Sequence, residues 1–255
     1  MKVVILAGGY GTRISEETDV KPKPMVEIGG KPILWHIMKY YASFGFKEFV
    51  VCLGYKGYII KEYFYNYYLH NSNVTVDLKS NVKMIHSTDT EDWKVTLVET
   101  GKETLTGGRI KRIKNFVDDE PFMLTYGDSL SNVNITKLLE QHKKSDALVT
   151  VTAAKPQGRF GIMQIDEDSR VEQFHEKRHS DSSWINGGYF VCEPGVFDHI
   201  EGDNVMWEHQ PLESFLAEGK LHAYQHDGFW APMDTIKDKL DLNSLWESGN
   251  APWKV

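Results

Sequence analysis

Directly after the apolar run Val3 to Ala7 comes Gly8-Gly9-Tyr10-Gly11-Thr12-Arg13, a stretch whose residue types suit an anion. Glycines let backbone N–H groups approach a charged oxygen closely, and the arginine adds its own charge. The stretch reads as a cradle for a triphosphate, with a tight structural turn as the competing reading. Ile14 occupies the place of a third glycine and no Gly-Lys-Ser/Thr follows, which removes the dinucleotide fingerprint and the Walker loop. A short way on, Lys21-Pro22-Lys23-Pro24-Met25 carries two lysines on a segment stiffened by two prolines, so holding them costs little further entropy. A rigid lysine near a phosphate loop points to catalysis; taken alone, the same string is a solvated basic loop. Two aspartates, Asp128 after FMLTYG and Asp234 after GFWAPM, each follow an apolar or aromatic run. Their hard oxygens suit magnesium, which takes one or two carboxylates together with phosphates and water. A helix cap is the competing role, most directly for Asp234 ahead of Thr235.

These residues need a scaffold, and the first half of the chain supplies its pattern. Short apolar runs (KVVILA, EFVVCL) alternate with amphipathic stretches (ILWHIMKYYASF, YIIKEYFYNYYLH), which predicts a parallel sheet with helices on its faces. Ile33, Leu34, Ile37, Met38 and Tyr41 follow helical spacing, and Gly45 is placed to end that helix. After His70 the runs VTVDL, KMIHS and WKVTLVET read as strands, followed by a helix near Gly107 to Phe116 and the strand FMLTYG. A helix from about Ile135 to Lys144, the strand ALVTVTA and a hairpin-rich stretch (FGIMQID, RVEQFHE, WINGGYFVC) come next. A helix near Pro211 to Glu218, the strand LHAYQH and a helix from about Thr235 to Trp246 close the chain. No linker or repeat interrupts it, so residues 1–255 form one doubly wound α/β domain with a β-rich portion. Ligands of open parallel sheets gather beyond the carboxyl ends of the strands, where Asp128 falls.

Composition narrows the function further. The formal charge of -7 leaves no broad basic surface for nucleic acid. The run Val3 to Ala7 is too short for a secretory core, and no segment reaches roughly 18 apolar residues, so a cytoplasmic protein without a membrane span is expected. Cys52 and Cys192 sit in strand-like apolar runs as small buried hydrophobes. The histidines show no metal-binding helical spacing, and no serine sits in a nucleophile elbow.

The G-G-x-G-x-R loop followed by P-K-P resembles the sugar-1-phosphate nucleotidyltransferases. The strings SEETDVKPKPMVEIGGKPILWHIMK, TGGRIKR, FMLTYGD, GRFG, INGGYF, GFWAPMDT and APWK are similar to the glucose-1-phosphate cytidylyltransferase branch of that family, and they span the chain. The resemblance implies a Rossmann-like mixed sheet of the nucleotidyltransferase type, with a β-rich acceptor-binding portion. It implies direct in-line transfer of CMP from CTP to α-D-glucose 1-phosphate, with release of pyrophosphate. Leu6, Ala7, Gly8, Gly9, Gly11, Thr12 and Arg13 would hold the nucleotide, and Lys23 would neutralise charge at the α-phosphorus. Thr106, Gly107, Gly108 and Arg109 would hold the base, the glycines admitting its flat ring. Tyr126, Gly127, Glu176, Lys177, Asn186, Gly187 and Gly188 would face the sugar phosphate, and Asp128 and Asp234 would bind Mg2+. The same resemblance implies a homo-oligomer, with a hexamer as the expected size and the aromatic stretch Tyr63 to Tyr68 as a candidate contact.

Three positions depart from the branch pattern: Tyr10 within the glycine loop, Ser129 in place of a glycine after YGD, and Arg178 in place of a proline after EK. The last two leave open a cytidylyltransferase acting on a different phosphorylated sugar or small metabolite. Two other classes compete. A glycosyltransferase would need a metal-holding Asp-x-Asp, for which Asp166-Glu167-Asp168 is the candidate, though it reads as a hairpin turn. A silent nucleotide-binding module would have no chemical reason to keep Arg13, Lys23, Asp128 and Asp234 together.

Overall fold

Apolar runs buried on both faces become parallel strands, and the first half of the chain follows that rule. In the computed structural model, which describes residues 1–156, 162–165, 171–175 and 184–255, seven strands make one sheet. They are β1 (Val3–Leu6), β2 (Glu48–Leu53), β3 (Lys94–Glu99), β4 (Phe122–Tyr126), β5 (Val149–Ala154), β6 (Ile185–Cys192) and β7 (Leu221–His226). Their spatial order is β7-β5-β6-β4-β1-β2-β3, and only β6 runs against the others. The chain leaves β1 toward β2 and β3, then returns to place β4 on the other side of β1. That reversal opens a crevice at the carboxyl ends of β1 and β4.

Alternation along each strand divides the interior in two. Val3 and Ile5 of β1 pack with Val51, Met123 and Tyr189 against Ile33, Leu34, Ile37, Met38 and Tyr41 of the helix α1 (Ile33–Ser43). Val4 and Leu6 face the other way, with Val50, Cys52, Leu124 and Phe190, onto Ile110, Trp207 and Phe215. The five residues expected on one face of α1 are all fully buried. Gly45 adopts a left-handed φ of 88°, with its N–H on Ala42 O and the Phe46 N–H on Tyr41 O, the paired bonds of a Schellman stop. Both cysteines lie in the second cluster as free thiols, and burial pushes the Cys52 thiol up to about 12.

Two expectations change in detail. The helix near Gly107 to Phe116 is a shorter α2 (Thr106–Arg112) followed by a 3-10 turn at Lys114–Phe116. VTVDL and KMIHS pair with each other as a hairpin (Ser72–Asp77 with Val82–Thr88) outside the main sheet. Its Leu78, Val82, Met84 and Ile85 side chains are exposed. Ile162–Ile165 and Val171–His175 form an antiparallel pair within the hairpin-rich stretch.

Candidate active site

The loop after β1 meets the crevice directly. Gly11 takes a left-handed φ of 66°, which a glycine adopts without steric cost. The N–H groups of Gly9, Tyr10 and Gly11 reach no protein acceptor among the described residues, which leaves them available to an anion. Leu6 to Arg13, Lys23, Thr106, Arg109, Tyr126, Gly127, Asp128, Asn186 and Asp234 line one cavity of about 640 Å³. Gly107, Gly187 and Gly188 are not among its lining residues.

Lys23 is the centre of the site. Pro22 is extended (φ -67°, ψ 150°), and a 3-10 turn over Lys23–Met25 closes with the Met25 N–H on Pro22 O at 2.8 Å. The lysine is only 7% exposed, so the solvated-loop reading fails. Its Nζ donates to Asp128 Oδ2 at 2.8 Å and to Asp234 Oδ1 at 2.7 Å, while Arg13 Nη1 reaches Asp234 Oδ2 at 3.0 Å. The capping role proposed for Asp234 belongs instead to Thr235, whose side chain accepts from the Asp238 N–H in a capping box on the helix α3 (Ile236–Glu247). Asp128 leads into the short strand Ser129–Ser131, so it caps no helix either.

The charges of this cluster hold one another. Burial alone would lower the Lys23 pKa, but Asp128 and Asp234 outweigh it and the net shift is upward. Burial would likewise raise the Asp234 pKa, and Lys23 and Arg13 outweigh it downward. A raised lysine stabilises the fold fully below its ordinary pKa and loses that contribution as pH climbs through the raised value. A depressed carboxyl stabilises above its ordinary pKa and loses that contribution as acid passes the lowered value. Between those limits, across neutral pH, the cluster stays charged and intact.

On the opposite wall, the glycines of TGG lie tightly against the 203–207 backbone. The Gly107 and Gly108 N–H groups both donate to Val205 O, at 2.9 and 3.3 Å. A Cβ at Gly107 would lie 2.8 Å from that oxygen, and one at Gly108 would collide with the Asp203 carbonyl. These glycines admit the 203–207 backbone at close approach. Arg109 is 4% exposed, and its guanidinium donates to Gly8 O, Leu53 O, Thr100 Oγ1, Gly101 O and Lys102 O at 2.7 to 3.3 Å. It therefore ties the glycine loop to the 101–102 turn through both Nη groups. Tyr10, the odd residue of the loop, packs against Tyr55 with the rings tilted by 40° and donates to Glu103 on this same wall.

On the third wall, Asn186 Nδ2 donates to the Tyr126 hydroxyl at 3.1 Å, and Gly188 N–H donates to Asn186 Oδ1 at 2.8 Å. INGG is thus part of β6 rather than a turn, irregular where Gly188 takes φ 76°. A Cβ at Gly188 would lie 2.5 Å from the Tyr126 ring, and one at Gly187 2.9 Å from Thr152 O. Gly187 O accepts from the Trp230 indole at 2.7 Å. Ser129 is buried, and its hydroxyl meets no protein partner among the described residues. Glu176, Lys177, Arg178 and Asp166-Glu167-Asp168 lie outside the described residues. Sequence reasoning missed Glu208, which sits in the cavity wall in the string MWEHQ, where neither periodicity nor motif marks it.

The family model described as nucleotidyl transferase matches residues 2–247. The glucose-1-phosphate cytidylyltransferase of Salmonella typhi is 53% identical over 100% of this chain and 99% of its own. A mannose-1-phosphate guanyltransferase of Yarrowia lipolytica is 28% identical over 97% of this chain and 64% of its own. Among solved structures, HddC from Yersinia pseudotuberculosis superposes with a TM-score of 0.70 at 25% identity, covering 96% of this chain and 99% of that one.

Proposed function

Because the chain belongs to the nucleotidyl transferase family, we propose that it transfers CMP from CTP to α-D-glucose 1-phosphate and releases pyrophosphate. The observation that carries this reading is Lys23, buried under the phosphate loop and bridging Asp128 and Asp234. The acceptor phosphate oxygen attacks the α-phosphorus in line; the new P–O bond forms as the α–β bond breaks, and pyrophosphate leaves with the bond's electrons. The free N–H groups of the loop and Arg13 hold the phosphates, and the Lys23 ammonium balances charge gathering on the α-phosphoryl oxygens. No protein nucleophile takes part. Positioning and neutralisation are what such a transfer asks of a protein.

Asp128 and Asp234 fit a Mg2+ ion, because both offer a carboxylate oxygen within 2.8 Å of one nitrogen, a point of convergence now served by an ammonium. No group of three or more His, Cys, Asp or Glu suited to a metal occurs among the described residues, so phosphates and water would complete the shell, as magnesium prefers. Bound there, the ion would polarise phosphoryl oxygens. Chelation with EDTA is expected to abolish pyrophosphate release and added Mg2+ to restore it. Undiminished release in EDTA would remove the metal from the reading.

The decisive assay crosses CTP, TTP, UTP and ATP with glucose 1-phosphate and other phosphorylated small molecules. Release with CTP and glucose 1-phosphate is expected. Release with CTP and only another phosphate would move the acceptor and give weight to Ser129 and Arg178, and no release with any pair would overturn the enzyme.

No helix among the described residues is long and apolar enough to cross a membrane, and the reading places the protein in the cytoplasm, where nucleoside triphosphates are made. A homo-oligomer, expected as a hexamer, fits the exposed hairpin and the neighbouring cleft lined by Phe64, Tyr65, Tyr67, Tyr68 and Trp93. Light scattering on the eluting protein should give a multiple of the 29.3 kDa chain mass, and a single-chain mass would refute it.

A further inference from the structure

Glu208 is half-buried in the cavity wall, and its carboxylate is engaged on both oxygens by neutral hydroxyls. Oε2 accepts from Thr106 Oγ1 at 2.7 Å, and Oε1 accepts from the Tyr126 phenol at 2.6 Å. Each hydroxyl is itself an acceptor. Thr106 Oγ1 takes the Trp207 N–H at 2.8 Å, and the Tyr126 oxygen takes Asn186 Nδ2 at 3.1 Å. Asn186 Oδ1 then takes the Gly188 N–H at 2.8 Å.

The bonds nearest the carboxylate all run inward, with Trp207 donating to Thr106 and Thr106 to Glu208 on one side. On the other, Asn186 donates to Tyr126 and Tyr126 to Glu208. A carboxylate is the one group here that accepts from both arms, since a carboxamide presents a donor on one side. Bonds to an ionised acceptor are the strong ones, and a chain of them polarises cooperatively. Burial and the adjacent Glu208 charge push the Tyr126 phenol well up, so it remains a donor at neutral pH. Thr106 opens α2 on the nucleotide wall, whereas Tyr126 and Asn186 belong to the acceptor wall. Glu208 spans the two.

We propose that Glu208 is a positioning residue that sets the acceptor wall against the nucleotide wall by holding Tyr126 and Thr106 on one carboxylate. It acts through Tyr126 and Asn186 and touches no reacting atom. The inference rests on the function proposed above for the meaning of the two walls, but the coupling itself has a readout free of activity.

The test uses Glu208→Gln, Tyr126→Phe and the double variant of the whole chain. In Glu208→Gln one arm must reverse or break, so amide hydrogen exchange at Trp207 or at Gly188, on the arm the carboxamide drops, should quicken about tenfold while Val4 and Leu124 in the sheet keep their protection. In steady state, KM for glucose 1-phosphate should rise about tenfold with KM for CTP and kcat within roughly threefold. Adding Tyr126→Phe should change the acceptor KM little further, because both variants cut the same chain. Unchanged exchange at both Trp207 and Gly188, equal shifts in both KM values, or multiplying effects in the double variant would each overturn the proposal. Should the unaltered protein release no pyrophosphate with any pair, the functional reading falls, and the exchange measurement still decides the role of Glu208.

Discussion

Replacing Lys23 by methionine is expected to lower kcat for pyrophosphate release by about 10²–10³-fold, the usual loss for one preorganised charged donor at a developing charge. Methionine keeps the length and apolar stem of the side chain, so its site between Pro22 and Pro24 stays filled. What disappears is the ammonium that Asp128 and Asp234 share at 2.8 and 2.7 Å. Arg13 remains on Asp234 but is a surface side chain, and its pairing with the carboxylate is correspondingly weaker. Asp234, whose pKa burial would raise and Lys23 pulls down, then holds its charge less firmly, and the acid limb of the rate profile should move to higher pH. Lys23→Arg should not rescue: the pocket leaves the lysine 7% exposed, and a planar fork does not fit where a compact ammonium sits. Single-turnover release at saturating CTP separates this from weakened binding. A loss under about tenfold, with the acid limb unmoved, would assign Lys23 a purely structural role.

The parts of this site that depend on local spacing were legible in the chain. The face of α1, the glycine loop after β1 and the place of Asp128 beyond β4 each follow from residues adjacent in sequence. Convergence was less so. That Lys23, Asp128 and Asp234 belong to one site came from family motifs; that they touch, across 105 and 211 residues, did not, because no periodicity reports a contact over such distances. Glu208 was invisible for the same reason: its value lies in facing Thr106 and Tyr126, 102 and 82 residues off. The glycines of TGG and INGG were conspicuous, yet a glycine says only that something approaches closely. It does not say whether that is a ligand or, as here, the 203–207 backbone and the Tyr126 ring. The exposed hairpin was readable as two strands but not as a projection, since alternation predicts pleating and not what covers each face.

Arg109→Ala carries the largest expected cost to stability. The guanidinium sits where both Gly8 and Gly54 lack a Cβ; one at Gly54 would come within 2.5 Å of Nη1. Among the described residues it pairs with no carboxylate, so the carbonyls and Thr100 Oγ1 around it replace water for a charge that arginine cannot give up. Burial lowers its pKa, in keeping with that unpaired setting. Truncation spares Gly8 O and Leu53 O, which keep the Tyr55 and Thr100 N–H groups as donors. Gly101 O and Lys102 O lose the guanidinium that held them, and a cavity opens beneath the phosphate loop. Unsatisfied carbonyls at about 1–3 kcal/mol each, plus the lost packing, sum to about 3–5 kcal/mol. For a domain of this size that is a fall in Tm of roughly 10 °C, readable by calorimetry. Arg109→Lys should recover part of it, one ammonium replacing some of the five bonds. The alternative makes a different pattern: if Arg109 leaves these carbonyls to contact the base, KM for CTP rises steeply in both variants while Tm moves by no more than a degree or two. The two outcomes separate an arginine that builds the nucleotide wall from one that binds the nucleotide.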